Sequence, residues 1–352
     1  MPVSVVFGGQ FGSEGKGKVV HDLARLSGAR VAVRVGGPNS GHTVIDKTGA
    51  ERKFQSLPTA SLLPDAVSVI AAGSYVDPLI LISEIVQGGL SPDRVMVDPN
   101  AVLITDSLKT EELDSGLRGR IGSTLSGTGA AVKARILRDG SAAFASSDDR
   151  LKPFIRETRE FMRGCLDRGE RIIIEGTQGF GLSVIHSPEY PYVTTRDTSA
   201  AGFVSEAGLS PLDVDDVVMV LRAFPIRVAG NSGPLPNEID WQTVRRESGY
   251  AEDVTEYTTV TGAIRRVARF DPAIVRKAIE ANAPTRIVLN HVDYIDSSCR
   301  ASHRLSARAE EFVAGVEVGI GASIDFIGFG PSGIVPRLHN SILPTASASS
   351  VQ

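Results

Sequence analysis

Near its start the chain reads VSVVFGGQFGSEGKGKVV, residues 3–20. The β-branched and aromatic run at residues 3–7 predicts a strand that is buried on both faces. A helical pattern begins at Val19, so the glycine-rich segment joins the end of a strand to the start of a helix. Backbone N–H groups, the helix dipole and the ammonium groups of Lys16 and Lys18 meet in this segment, which predicts a loop that binds phosphate.

This loop comes close to a Walker A motif but departs from it at one position. Gly12, four intervening residues and then Gly17 and Lys18 reproduce the spacing of that motif. Val19, however, stands where the motif requires a serine or threonine to ligate Mg²⁺. A conventional P-loop protein, including a P-loop kinase, is therefore disfavoured.

The alternation of strand and helix patterns repeats along the chain. Buried runs that predict strands lie at residues 31–35, 67–72, 171–174, 217–221, 286–289 and 324–327. Helical patterns lie at residues 19–26, 78–86, 151–167, 272–281 and 304–313. The pattern predicts an α/β fold with a mostly parallel twisted sheet and helices on both faces. We expect one large domain over residues 1–344, functional loops at the carboxyl ends of the strands, and a flexible tail at 345–352.

The composition is that of a globular protein and excludes several functional classes. Of the 352 residues, 42% are hydrophobic and 22% are charged, and the formal net charge is −4, which argues against nonspecific binding of polyanions. Cys165 and Cys299 form no CxxC pair, so a disulfide scaffold and a cysteine-based zinc site are excluded. No leader-like segment or membrane-spanning run is evident. We expect a cytoplasmic protein with no nucleic-acid or membrane partner.

Further polar segments carry groups that suit phosphates and carboxylates. The sequence GGPNSGHT at residues 36–43 places His42 in a glycine-rich loop, where a catalytic and a structural role are equally expected. Residues 121–129, IGSTLSGTG, offer hydroxyl groups, and Arg135 follows them. Residues 175–179, EGTQG, include a glutamine that can pair with a base edge, and residues 261–266, TGAIRR, combine a turn with cationic side chains. Together these segments predict a site with several phosphate and carboxylate partners.

The order of these motifs over residues 3–340 resembles the adenylosuccinate synthetase family. The family pattern QWGDEGKGK corresponds to residues 10–18, GGxNAGHT to residues 36–43, EGAQG to residues 175–179, and YPYVT to residues 190–194. The resemblance implies a P-loop-related α/β fold, a homodimer, and a ligase that uses Mg²⁺ and a nucleoside triphosphate. In this family O6 of a purine nucleotide is phosphorylated first, and the amine of aspartate then displaces the phosphate from C6.

Two positions depart from the family pattern and indicate a different purine. Ser13 replaces the aspartate that takes the N1 proton of IMP, and a hydroxyl group cannot act as that base near neutral pH. The shorter side chain leaves room for the 2-amino group of guanine. Ala263 replaces an arginine near the ribose 2′-hydroxyl, a loss that a deoxyribose tolerates. Together they indicate dGMP, as in the phage-type branch of the family, the 2-aminoadenylosuccinate synthetases that lead to diaminopurine DNA.

Matching positions imply the roles of individual residues. The expected catalytic residues are Ser13, Lys16 and His42, with His42 as the general acid, and the expected Mg²⁺ ligands are Ser13 and the carbonyl of Gly41. The expected ATP-binding residues are Gly12, Glu14, Gly15, Lys16, Gly17, Gly41, His42, Thr43, Arg265, Asn290, His291, Asp293, Gly328 and Gly330. The expected dGMP-binding residues are Ser13, Asn39, Ser123, Thr124, Arg135, Gln178, Thr194 and Gly262, with Arg135 supplied to the site of the partner subunit. The expected aspartate-binding residues are Val260, Thr261, Gly262, Arg265 and Arg266.

Several alternatives stay open at this stage. Asp293 would pair well with guanine, so GTP, or dATP, could replace ATP as the phosphate donor. An ordinary adenylosuccinate synthetase that uses IMP and GTP is the first rival, and a catalytically inert nucleotide-binding protein is the second. The sequence also leaves open which group accepts the N1 proton when Ser13 stands in place of the carboxylate.

Overall fold

A computed structural model describes residues 2–258, 262–331 and 333–337. In these residues the main sheet has nine strands, and strands are numbered here in chain order. From one edge to the other they are β16 (Val335–Pro336), β15 (Phe326–Ile327), β14 (Arg286–Asn290), β10 (Val214–Arg222), β1 (Val3–Gly8), β9 (Ile172–Glu175), β2 (Val31–Arg34), β5 (Val67–Ile70) and β7 (Val95–Val97). All neighbours pair in parallel except β15 and β16. The predicted mostly parallel sheet is therefore confirmed.

The central strands are apolar because both faces of the sheet are covered. In β1 the side chains of Val5 and Phe7 join one hydrophobic cluster, whereas Val6 joins the cluster on the opposite face. All six residues of β1 and all four of β9 are buried. Continuous apolar runs replace the alternating pattern in such strands, which is why they could be recognised in the sequence.

Helices cover both faces of the sheet, as expected. They are α1 (Lys16–Ser27), α2 (Pro78–Gln87), α3 (Asp106–Asp114), α4 (Leu117–Ile121), α5 (Thr128–Leu137), α6 (Thr158–Asp167), α7 (Ala200–Ala207), α8 (Trp241–Ser248), α9 (Pro272–Asn282), α10 (Ser298–Ser302) and α11 (Ala307–Ile320). None of them is long and apolar enough to cross a membrane, within the ranges described above.

Three predicted helix starts were wrong. The helix expected at 19–26 begins at Lys16, directly after Gly15. The helix expected at 151–167 begins only at Thr158, because residues 152–154 form a separate short 3₁₀ turn that contains Pro153. The helix expected at 304–313 begins at Ala307, where the hydroxyl of Ser306 accepts the N–H of Ala309, and it continues to Ile320. The expected tail at 345–352 lies outside the described residues.

Three small sheets stand beside the main one. They are the antiparallel pair β3 (His42–Ile45) and β4 (Glu51–Phe54), the parallel pair β6 (Tyr75–Val76) and β8 (Val102–Leu103), and an antiparallel set of β11 (Ile226–Arg227), β13 (Arg266–Ala268) and β12 (Glu238–Ile239). Strand β3 carries His42, and β13 follows the segment that carries Arg265. Both therefore position predicted functional residues near the carboxyl edge of the main sheet.

Candidate active site

The glycine-rich loop turns sharply between β1 and α1. Gly12, Ser13 and Gly15 have φ angles of 90°, 56° and 87°, in the left-handed region. Gly15 is the N-cap of α1, so the loop leads directly into the positive end of that helix. Ser13 is exposed on this loop. The geometry is that of a strand–loop–helix anion site, with the hydroxyl of Ser13 presented to the solvent side.

The buried carboxylate of Glu14 holds the backbone of the glycine-rich loop in place. Its side chain is fully buried, and Oε1 accepts the backbone N–H groups of Gln10 at 3.2 Å and Gly12 at 2.8 Å. Its Oε2 pairs with Nζ of Lys16 at 2.7 Å. Glu14 was predicted to bind ATP, but its carboxylate is held inside the loop, so only its backbone could face a phosphate. Glu14 therefore fixes the ammonium group of Lys16.

A second loop, residues 175–179, presses against the first. The carbonyl oxygen of Gln178 accepts a short hydrogen bond from Nζ of Lys16. A Cβ atom on Gly179 would lie 2.5 Å from the nitrogen of Gly12 and 2.6 Å from the oxygen of Gln10. Because the contacting atoms are backbone, they cannot give way, and glycine is required here. The structure therefore brings Lys16 and Gln178, both predicted site residues, into one site.

His42 lies in a buried cluster of charged side chains. Its Nδ1 forms a short hydrogen bond with Oε1 of Glu175, and Nη1 of Arg34 lies 2.5 Å from the same nitrogen. Oε2 of Glu175 accepts the backbone N–H and the hydroxyl of Thr59 at 2.7 and 2.9 Å. The carboxylate on Nδ1 leaves Nε2 as the ring nitrogen for a substrate, with the hydroxyl of Ser40 at 3.5 Å. Glu175 and Arg34 thus orient His42.

Burial, followed by the neighbouring Arg34, lowers the pKa of His42 to about 4, although Glu175 opposes the shift. The unfolded chain, with a histidine pKa near 6.5, therefore binds more protons than the folded chain between these two values. Stability should decrease as the pH falls through this window, by on the order of 2 kcal/mol at about pH 5 from His42 alone. We expect His42→Asn to reduce this acid-side loss in urea unfolding measured near pH 7.5 and pH 5. An identical loss in the variant would contradict the assignment.

A second charged cluster lies behind Ser13. Arg222, at the end of β10, is fully buried, and its Nη1 donates to the carbonyl of Ser13 at 3.0 Å. Its guanidinium also pairs with Glu256 at 2.5 and 3.3 Å, and Glu256 pairs with Arg265 at 3.1 Å. The predicted aspartate-binding residue Arg265 is therefore tied to the glycine-rich loop through two side chains.

The other predicted aspartate-binding residues occupy different positions. Val260 and Thr261 lie outside the described residues. Gly262 is exposed, and its N–H donates to the carbonyl of Thr258 at 3.0 Å. Arg266 pairs with both carboxylate oxygens of Glu238, at 2.8 and 2.6 Å. Arg266 is thus engaged by this partner, whereas Arg265 lies in the cluster with Arg222.

The segment predicted to bind the base of the triphosphate contacts the glycine-rich loop and Tyr250. Asn290 is fully buried, and its amide donates to the carbonyl of Glu14 at 2.8 Å. Asp293 is only 1% exposed, and its two oxygens accept the hydroxyl of Tyr250 at 2.6 Å and the N–H of Gly330 at 2.9 Å. In the free chain the side chains of Asn290 and Asp293 are therefore held by contacts within the protein, and their role toward the base stays a prediction.

The other residues predicted to bind the triphosphate in this part of the chain, His291, Gly328 and Gly330, lie near the start of α1. The carbonyl of Gly330 accepts Nζ of Lys18 at 2.8 Å, and the N–H of Gly328 donates to Leu289. Burial lowers the pKa of Lys18 to about 8. The ring of His291 approaches Gly15, since Nε2 lies 3.6 Å from the position of a Cβ there. Asn290, whose Nδ2 lies 2.8 Å from the same Cβ position, and His291 are thus the two residues of this segment that contact the start of α1.

Four of the predicted dGMP residues come from three neighbouring segments. Gly37 packs closely against the side chain of Thr128, and Gly129 packs against the side chain of Thr195. These contacts bring together the loops that carry Asn39, Ser123, Thr124 and Thr194. In the single chain, Nη1 of Arg135 donates to the carbonyl oxygens of Ala72 at 2.8 Å and Asn100 at 3.4 Å.

Sequence reasoning missed the residues that support the site. Arg34 ends the buried apolar strand β2, and Arg222 ends the apolar run 217–221 of β10. Gln10 pairs through its side-chain amide with both backbone groups of Arg222, at 2.9 and 3.2 Å. Glu175 belongs to the predicted motif at residues 175–179, but the sequence did not indicate its contact with His42. An arginine or glutamate that closes a fully apolar strand is the available signal, because burial of a charge requires a nearby partner.

A metal site made only of protein side chains is not evident. Within the described residues, no group of three or more histidine, cysteine, aspartate or glutamate side chains could hold a metal ion. The predicted donors for Mg²⁺, the hydroxyl of Ser13 and the carbonyl of Gly41, are oxygen atoms, which this ion prefers. Such a sparse donor set fits Mg²⁺ that is bound mainly by substrate phosphates.

Solved structures of two enzymes share this fold. The succinoaminodeoxyadenylate synthetase (PurZ) of cyanophage S-2L, bound to dGMP and dATP as an energy donor, aligns with a TM-score of 0.81 and 29% identity over 95% of each chain. The fully ligated adenylosuccinate synthetase of Plasmodium falciparum aligns with a TM-score of 0.85 over 96% of this chain and 100% of the other. At 19% identity, the second likeness shows the fold alone.

Sequence comparisons agree over almost the whole chain. The family model of adenylosuccinate synthetase matches residues 5–145 and 141–299. The adenylosuccinate synthetase of Methanocaldococcus jannaschii is 36% identical over 346 residues, which cover 96% of each chain. That of Thermococcus sibiricus is 34% identical and covers 94% of this chain and 96% of its own length. The chain therefore belongs to the adenylosuccinate synthetase family of C–N-forming ligases.

Proposed function

We propose that the protein joins L-aspartate to C6 of dGMP and hydrolyses ATP to ADP and phosphate, giving N6-succino-2-amino-2′-deoxyadenylate. The observation that carries this proposal is the exposed Ser13 on the glycine-rich loop, where the family has a carboxylate. Its small neutral side chain leaves room beside N1 for the 2-amino group of guanine. Ala263 supports a deoxyribose substrate. The arginine that the family has at this position would lack a hydrogen-bond partner if the sugar had no 2′-hydroxyl, whereas alanine needs none. The dGMP in the S-2L enzyme agrees with both points.

The chain's own residues suit the two chemical steps. In the first step dGMP releases its N1 proton, O6 attacks the γ-phosphorus of ATP, and the bond between that phosphorus and the oxygen of ADP breaks. The ammonium group of Lys16, fixed by Glu14 and the carbonyl of Gln178, stabilises the charge on the transferring group. In the second step the amine of aspartate attacks C6, and the phosphate at O6 leaves.

His42 is placed to act on the transferring phosphoryl group. Glu175 holds its Nδ1, so Nε2 is the atom available for a phosphate oxygen. The pKa of about 4 applies to the free protein, and a phosphate anion at Nε2 would raise it, since an opposite charge favours the imidazolium ion. His42 can then donate a proton to the phosphoryl group and act as the general acid.

The family uses a nucleoside triphosphate and Mg²⁺ in general. In this chain Ser13 and Gly41 would hold Mg²⁺ together with the phosphates, and the ion would supply charge neutralisation during transfer. The placement of Asp293 favours ATP, or dATP, over GTP. Pairing of this carboxylate with guanine would first require the loss of its bonds to Tyr250 and Gly330, which leaves buried groups without partners.

A homodimer is the proposed assembly, with Arg135 in the partner's site. Arg135 lies near the end of α5, and the next two residues, Ile136 and Leu137, are 69% and 54% exposed. Two adjacent large apolar side chains at a surface favour burial against another subunit. A partner would thus cover these side chains and receive the guanidinium of Arg135.

Aspartate-dependent phosphate release tests the proposed function. We expect release with dGMP, ATP and Mg²⁺, and little with GMP or IMP. Replacement of ATP by dATP should preserve turnover, whereas GTP should support it poorly because Asp293 is engaged. Release with IMP and GTP would instead identify an ordinary adenylosuccinate synthetase, the activity named for the archaeal relatives. No release with any pair, despite nucleotide binding, would identify an inert binding protein.

A further inference from the structure

Arg222 joins two parts of the site that are far apart in sequence. Its guanidinium is fully buried at the end of β10 and is shared between the carbonyl of Ser13 and the carboxylate of Glu256. A buried arginine that donates to both a carbonyl and a carboxylate has a fixed planar orientation. The position of the Ser13 backbone is therefore linked to the position of Glu256.

Glu256 lies at the base of a hairpin. Its carbonyl accepts the N–H of Arg265 at 2.9 Å, and Tyr257 forms an antiparallel bridge with Ile264. The carboxylate of Glu256 accepts Arg222 and the hydroxyl of Tyr294 (3.2 Å) on Oε1, and Arg265 (3.1 Å) on Oε2. Its side chain is 19% exposed, so these partners and not water surround most of it.

The cluster of Arg222, Glu256 and Arg265 carries a net positive charge that an anionic substrate could balance. Arg222 and Arg265 carry two positive charges, and Glu256 supplies one negative charge. One positive charge is therefore uncompensated within the trio, on the side of the hairpin where Arg265 is 16% exposed. A carboxylate or phosphate of a substrate would complete the balance.

We propose that Arg222 and Glu256 form a positioning pair that holds Arg265 in register with the Ser13 backbone, so that Arg265 is oriented to receive the carboxylate of the aspartate substrate. This inference rests on the proposed function for the identity of that substrate. Glu256 acts through Arg265 and does not itself bind the substrate. Although burial opposes it, Arg222, followed by His291 and Arg265, lowers the pKa of Glu256 to about 2, so Glu256 is an anion near neutral pH and a poor proton acceptor. This agrees with a positioning role and not with that of the missing N1 base.

Two substitutions separate the charge of Glu256 from its size. Glu256→Gln keeps the shape and removes the charge, whereas Glu256→Asp keeps the charge and shortens the side chain by one methylene group. We expect the KM for aspartate to rise roughly tenfold in Glu256→Gln and less in Glu256→Asp, with the KM for dGMP changing by less than about threefold. A role based on packing would give the opposite order of the two variants. Glu247→Gln is the matched control, because Glu247 forms an Arg–carboxylate pair with Arg269 at 2.7 and 3.0 Å elsewhere on the surface.

Amide hydrogen exchange gives a readout that needs no substrate. We expect Glu256→Gln to accelerate exchange both at Gly262–Arg265 and in the Ser13–Lys16 loop, and Glu247→Gln to affect neither. The kinetics are measured with whichever purine nucleotide the wild-type protein turns over, so a failure with dGMP bears on the proposed function and not on this inference. If the wild-type protein turns over none of the nucleotides, hydrogen exchange alone tests the inference. Exchange altered only in the hairpin, or an unchanged KM for aspartate, would overturn the inference.

Discussion

Lys16→Met is expected to lower kcat for aspartate-dependent phosphate release by about a hundredfold or more. The ammonium group of Lys16 is 2.7 Å from Glu14 and also bonds to the carbonyl of Gln178, so it is preorganised before a nucleotide binds. Removal of one preorganised donor from a phosphoryl-transfer site costs about 3 kcal/mol of transition-state stabilisation, which corresponds to this factor. Initial rates at saturating ATP, dGMP and aspartate would measure it.

A loss of folding could imitate this result, because the substitution leaves Glu14 buried without its cation. Removal of one member of a buried ion pair costs about 3–5 kcal/mol of stability. The double variant Glu14→Gln/Lys16→Met contains no unpaired buried charge and should regain much of the thermal stability, but not the activity. If the double variant worked within tenfold of the wild type, the proposed role of Lys16 would be refuted.

The sequence was sufficient to predict the fold because the signals are local. Strands such as β9, with the sequence IIIE, are buried on both faces and read as apolar runs. The loops that follow them carry the glycines and polar residues, and parallel strands bring these loops to one edge. Helix starts were predicted less well, since Pro153 and the capping Ser306 shift them by several residues.

The support of the site could not be predicted, because it depends on contacts between distant residues. Glu175 meets His42 across 133 positions, and Gln10 meets Arg222 across 212 positions. Similarly, nothing in the segment around Asp293 shows that Tyr250, 43 residues earlier, occupies its carboxylate. A motif identifies which side chain is present, but the side chains packed around it decide whether a ligand can reach it.

Ser13 is the position at which the choice of purine can be tested with little risk to the fold. Its φ of 56° lies in the left-handed region, which aspartate and asparagine adopt more readily than other non-glycine residues. Its side chain is exposed, while its carbonyl keeps the bond to Arg222 whatever the side chain is. Variants at this position should therefore fold normally, and thermal unfolding would verify this.

Ser13→Asp is expected to lower kcat/KM for dGMP by about tenfold to a hundredfold. The longer side chain would occupy the space that the proposal assigns to the 2-amino group, and overpacking of a fitted site costs ~1–3 kcal/mol. Rates of aspartate-dependent phosphate release with dGMP would measure the effect. Ser13→Asn has the same size without the charge and should show a similar loss. Ser13→Ala leaves the space beside N1 open and removes only the hydroxyl proposed to hold Mg²⁺, so it should raise the Mg²⁺ concentration needed for turnover while keeping the preference for dGMP. An equal or faster rate in Ser13→Asp would mean that a carboxylate still serves as the N1 base with guanine. The serine would then not be an adaptation to dGMP.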